Sequence, residues 1–115
     1  MPTSINKWDV ILIDFPYSNG IKTKHRPAAI FAIVINDLGG EDVIVAAITS
    51  QSGMRGIEVN QNNPEFALSG LKSDSRILPG KLFTCAKSEI TSVIGKIGPN
   101  LQQAIKTRLR EILSL

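Results

Sequence analysis

Ala28-Ala29-Ile30-Phe31-Ala32-Ile33-Val34-Ile35, then Asn36-Asp37-Leu38-Gly39-Gly40-Glu41, then Val43-Ile44-Val45-Ala46-Ala47-Ile48, is the stretch whose reading decides the fold. Two short apolar runs rich in Ile and Val, separated by a Gly-rich polar segment, give a strand, turn, strand signal. Neither run alternates with polar residues. Each strand is therefore expected to be covered on both faces, by the core, a C-terminal helix or a second subunit. Antiparallel pairing centred on the turn brings Arg26 near Gln51 and Thr49 near Ala28. A guanidinium and a hydroxyl then share one sheet edge, a pairing suited to phosphate, which a guanidinium grips bidentately while a hydroxyl or amide holds a neighbouring oxygen.

Outward from this hairpin the chain shows no linker, repeat or low-complexity segment. Val10 to Phe15 reads as a first strand, with Pro16 to Lys24 as its exit loop. Ile57 to Val59 is a short strand, and Asn60 to Leu71 an irregular crossing. Ser75 to Leu78 and Leu82 to Thr84 form an extended pair broken by a turn at Pro79-Gly80. Ser88 to Ile90 suits a single helical turn, and Thr91 to Ile97 a last strand. From Asn100, a plausible N-cap, Leu101, Ala104, Ile105, Leu109, Ile112 and Leu113 recur at helical spacing, which predicts an amphipathic C-terminal helix. The expectation is one mainly β domain over residues 1–115, a small barrel closed by that helix. Its very apolar strands also invite a homodimer.

A chain of 115 residues is long enough to bury a core without staples. Its one cysteine, Cys85, cannot form an intramolecular disulfide, and the first residues do not read as a secretion signal, so a cytoplasmic protein is expected. No apolar run approaches the ~20 residues that span a bilayer, so no membrane partner is expected. The formal charge of +3 points weakly to a polyanionic partner. Its distribution says more, because Lys22, Lys24, His25 and Arg26 crowd one connector beside the candidate phosphate grip. Tyr17 in the same connector is the obvious exposed stacking residue. One His, one Cys and no tight carboxylate cluster leave no ligand spacing for zinc or a two-metal site, so no metal or cofactor is expected. RNA needs neither, since its 2′-hydroxyl can attack the adjacent phosphorus if the chain is held in line and the developing charge neutralised.

The chain resembles the MazF/PemK (Kid-like) toxins. The resemblance rests on Asp9-Val10-Ile11-Leu12-Ile13-Asp14-Phe15-Pro16, Arg26-Pro27-Ala28, Ile48-Thr49-Ser50-Gln51, Lys81-Leu82-Phe83-Thr84 and Lys96-Ile97-Gly98, in the family's order. It implies an SH3-like barrel of the MazF, CcdB and Kid type, acting as a homodimer. It implies metal-independent cleavage of single-stranded mRNA at short motifs, leaving 2′,3′-cyclic phosphate and 5′-hydroxyl ends. The family's catalytic arginine and threonine match Arg26 and Thr49. Tyr17, Lys22, Lys24, His25, Ser50 and Gln51 are the expected substrate-binding residues. The resemblance also implies neutralisation by a small MazE-like antitoxin whose acidic tail blocks the RNA groove.

Blander readings stand beside these. Arg26 could pair with Asp14 or Asp9 on the neighbouring strand, Thr49 is at home at any strand end, and a lone loop histidine is usually plain surface. The chain departs from the family in placing Trp8 before Asp9 and Gly80 where relatives often carry an acid. That leaves a proton-shuttling carboxylate unfilled. The alternative function is a non-catalytic barrel that binds nucleic acid or a protein such as DNA gyrase, as the CcdB-like toxins do.

Overall fold

A computed structural model describes residues 4–16, 23–53 and 55–115. Among the described residues six antiparallel strands form one sheet in the order β4-β5-β3-β2-β1-β6. They are β1 (Asp9–Pro16), β2 (Thr23–Ile35), β3 (Glu41–Thr49), β4 (Ile57–Val59), β5 (Ser75–Ala86) and β6 (Ile90–Lys96), with helices α1 (Phe66–Ser69) and α2 (Pro99–Leu113). Among the described residues no helix is long and apolar enough to cross a membrane.

The β2–β3 turn forms because Asn36 organises it: its Oδ1 accepts hydrogen bonds from the backbone N–H groups of Leu38 and Gly40, each at 3.0 Å. Gly39 takes the positive φ of 86° that the turn needs. Beyond the turn, two departures move the register. Ile35 pairs with Glu41, one position off a pairing centred between Leu38 and Gly39, and a bulge at Phe31 adds a second step, so Ala28 meets Ala47. Pro27, with no N–H to donate, stands where the β2–β3 ladder stops.

Other segments also differ from expectation. β2 starts at Thr23, so His25 and Arg26 lie in a strand paired to β1, not in a basic connector. Main-chain pairing with Asp14 and Ile13 overrides their polar composition. Ser75 to Ala86 is one strand, because Pro79-Gly80-Lys81 bulges out of the ladder between Leu78 and Leu82 instead of ending it.

The two sheet faces carry separate cores. Val10, Ala29, Phe31, Ala46, Ile48, Val59 and Ile77 pack against Ile97, Leu101 and Ile105, and so under α2. Fully burying a side chain such as Ile105 is worth about 2 kcal/mol. On the other face Ile11, Ile13, Ala28, Ile30, Val43 and Val45 enclose Cys85 of β5 and Ile90 of β6. Those two strands flank β3, β2 and β1 and are joined only by the 3-10 turn Lys87–Glu89. Four chain steps reach at most about 14 Å. Four strand spacings in a flat sheet would need about 19 Å. The sheet therefore curls like a barrel, although no hydrogen-bonded ladder joins its edge strands β4 and β6.

The start of α2 is capped from a distance. Gly98, not Asn100, is the N-cap residue, and the Glu65 carboxylate accepts the N–H groups of Asn100 and Leu101, each at 2.9 Å. A carboxylate at this position offsets the helix dipole and pairs two otherwise orphan donors. Replacing Glu65 by Ala should lower unfolding stability by about 1–2 kcal/mol. A urea midpoint equal to wild type would contradict the cap. Burial pushes the Cys85 thiol up to about 11, helped by the nearby carboxylates of Glu89 and Asp42. Between the ordinary thiol range and that value the unfolded chain binds fewer protons than the fold, so stability should fall as pH rises, by about 2–3 kcal/mol in all. The stability loss from pH 8 to 11 should be correspondingly smaller in Cys85→Ala.

Candidate active site

The splayed ends of β2 and β3 open into a cleft of about 640 Å³. One wall is Leu12 of β1 with His25, Arg26 and Pro27 of β2; the next is the end of β3 with its exit, Ile48, Thr49, Ser50 and Gln51. Continuing the Ala28–Ala47 register by two residues sets Arg26 opposite Thr49, not Gln51, so the two share a sheet face. Arg26 is exposed and Thr49 half-buried.

The opposite wall is Gly70, Leu71, Lys72, Ser73 and Ser75, with Ile94 of β6 beneath. This wall comes close because backbone passes backbone without a side chain between. A Cβ on Gly95 would stand 2.3 Å from the Ser69 carbonyl, and Gly70 adopts a φ of 73° against Ile94. Buried Ser69 donates to the Phe66 carbonyl at 2.5 Å and accepts the Leu71 N–H at 3.2 Å, and Ser75 Oγ donates to the Ser73 carbonyl at 2.8 Å. Lys72 thus sits across the cleft from Arg26. That is a cation which reading along the chain missed, because the crossing that carries it has no periodic signal.

Thr49 Oγ1 accepts the Gln51 N–H at 3.1 Å, which folds the loop back over the strand end. Arg76 of β5 pairs with Thr49 in register and donates from Nη1 to the Gln51 carbonyl at 3.3 Å, while its Nη2 stands 3.8 Å from Glu58 Oε1. Sequence reading missed Arg76 as well, since only the β3–β5 register brings it to the site. Asp14 does not pair with Arg26. It lies opposite His25, with His25 Nδ1 at 2.7 Å from Asp14 Oδ1. Asp9 is turned inward, and its carboxylate accepts the Asn6 N–H at 2.8 Å.

Of the expected binding residues, His25, Ser50 and Gln51 line the cleft with Arg26 and Thr49. Lys24 lies on β2 beside His25, opposite Phe15. Tyr17 and Lys22 lie outside the described residues. Gly80 faces a different groove, with Arg55, Lys81, Arg108 and Glu111, so the position where relatives often carry an acid is not in this chain's Arg26–Thr49 cleft. Among the described residues no three His, Cys, Asp or Glu side chains come together as a metal-binding group.

The family profile of the PemK-like, MazF-like toxins of type II toxin-antitoxin systems matches residues 6–113. The chain belongs to this family. The MazF-like fold agrees with solved structures. A MazE–MazF structure from Deinococcus radiodurans superposes with a TM-score of 0.73 at 14% identity, over 99% of each chain. An endoribonuclease in complex with its cognate antitoxin from a mycobacterial species gives 0.68 at 18% identity, over 99% of this chain and 97% of that one. The toxin MazF-mt6 of Mycobacterium tuberculosis gives 0.62 at 19% identity, over 93% and 97%. A search of curated protein sequences found no match.

Arg76→Ala should speed amide hydrogen exchange in the loop 50–53 while changing global stability by less than about 1 kcal/mol. Unchanged exchange there would show that Arg76 does not hold the loop.

Proposed function

We propose that this MazF-like chain is a metal-independent endoribonuclease toxin that cuts single-stranded mRNA at short sequence motifs. The observation that carries this reading is the cleft in which Arg26 and Thr49 stand opposite each other at two splayed strand ends, with Lys72 on the far wall. In the reaction the 2′-hydroxyl attacks the adjacent phosphorus and the bond to the 5′-oxygen breaks, leaving a 2′,3′-cyclic phosphate and a 5′-hydroxyl. Arg26 neutralises the charge that builds on the non-bridging oxygens, and Thr49 donates to one of them or positions the 2′-hydroxyl. Tyr17, Lys22, Lys24, His25, Ser50 and Gln51 bind the RNA, with Lys72 guiding the phosphate backbone.

The protein acts as a homodimer in the cytoplasm and is neutralised by a MazE-like antitoxin. The likeness to toxin structures solved with their antitoxins supports this partner. An acidic, disordered antitoxin segment would compete with RNA for the same cations.

Incubated with a long unstructured RNA and excess chelator, the purified protein should give discrete cuts ending in cyclic phosphate. Arg26→Ala and Thr49→Ala should each slow cleavage by about 10²-fold or more, with the fold intact. Intact RNA in the presence of a well-folded protein would instead favour the non-catalytic, CcdB-like reading.

A further inference from the structure

We propose that His25 is the general base of this ribonuclease site and that Asp14 is its positioning residue. The inference rests on the ribonuclease reading and supplies the proton acceptor that Gly80 cannot. His25 Nδ1 stands 2.7 Å from Asp14 Oδ1, and Thr91 Oγ1 lies 3.5 Å from the same nitrogen. Thr91 donates its own hydroxyl proton to the Leu12 carbonyl at 3.1 Å, so toward the imidazole its oxygen is an acceptor. Nδ1 therefore faces two acceptors and carries the hydrogen. In the neutral ring Nε2 is then left with a bare lone pair, and His25 lines the same cleft as Arg26, the next residue along β2.

Asp14 on β1 and the Thr91 hydroxyl of β6 meet the ring, Arg26 is the next residue on β2, and Lys72 stands on the opposite wall of the same cleft. Side chains left 60% and 45% exposed make an ion pair worth little to stability, so the contact is better explained by what it does to the ring. A carboxylate and a hydroxyl on one nitrogen select the tautomer and orient the other nitrogen, as the acid of a hydrolase triad does for its histidine.

The step balances without a co-reactant beyond water. Nε2 takes the 2′-hydroxyl proton as that oxygen bonds to phosphorus. The bond from phosphorus to the 5′-oxygen breaks, and the leaving oxygen takes a proton from water. The hydroxide so formed is neutralised by the imidazolium, which restores the resting ring.

The test compares an RNA oligonucleotide spanning one mapped cut with the same oligonucleotide carrying sulfur in place of the bridging 5′-oxygen. A thiolate leaves without a proton, so loss of a general base slows both substrates and loss of a general acid slows only the oxygen one. His25→Ala should be slower by about 10²-fold or more on both. A loss below threefold overturns the proposal. So does a loss that disappears with the sulfur substrate, which would make His25 the acid. If wild-type protein cuts and Arg26→Ala does not, either result sinks the base assignment alone. If wild-type protein does not cut, the ribonuclease reading falls and takes the base with it.

The positioning role has a readout independent of turnover. His25 is the single histidine, so its ring ¹⁵N signals need no separation from others. The neutral ring should carry its proton on Nδ1 in wild type and shift toward Nε2 in Asp14→Ala. A wild-type ring protonated on Nε2 would overturn the Asp14 assignment.

Discussion

The short link between β5 and β6 is the constraint on which the rest of this structure depends. Three residues, Lys87–Glu89, must join strands that lie on opposite sides of β3, β2 and β1. Their reach rules out a flat sheet. The link is itself held, since Glu89 accepts the Ala86 N–H at 3.0 Å. Once the sheet curls, Cys85 and Ile90 meet in one core with Ile11, Ile30 and Val45, and the opposite face is left convex for α2 to cover.

Curvature alone does not make a site; an interrupted ladder does. β2 and β3 are bonded up to Ala28 and Ala47 and then part where Pro27 has no N–H to offer. The polar residues beyond that point therefore face a cleft instead of each other's backbone. The third wall needs a different device, the close passage of Gly70 and Gly95, which lets an irregular segment sit against β6. Cations from three separate chain segments, Arg26, Lys72 and Arg76, surround the end of β3 as a result.

How far the sequence could be read follows from the range of each interaction. Apolar runs, a Gly-rich turn and helical spacing are local, and β1, β3, β4 and α2 lie close to where those signals put them. Arg26, Thr49, His25, Ser50 and Gln51 were legible as one cluster because a single hairpin brings them together. Their exact opposition was not, since it takes a one-residue offset at Asn36–Gly40 and a bulge at Phe31, and neither leaves a mark in composition. Asn100 looked like a cap because asparagine often is one; the actual partner, Glu65, comes from a segment with no helical pattern. Arg76 depends on the β3–β5 pairing, Lys72 on the passage of Gly70 against β6, and the Asp14–His25 contact on the exact β1–β2 register, none of which a window along the chain reports.

The double anchoring of the cleft strands bears on how such a chain can diversify. Arg26 is held by Ile13 on β1, and Thr49 by Arg76 on β5, so each keeps its place through a neighbour other than the β2–β3 turn. The far tip of that hairpin, with Leu38 almost fully exposed, lies at the opposite end of both strands. Side-chain changes at the tip that keep the length of the Asn36–Gly40 turn are thereby separated from the alignment of the chemistry. The hairpin end can be resurfaced for new surroundings while the pair at the cleft stays in register.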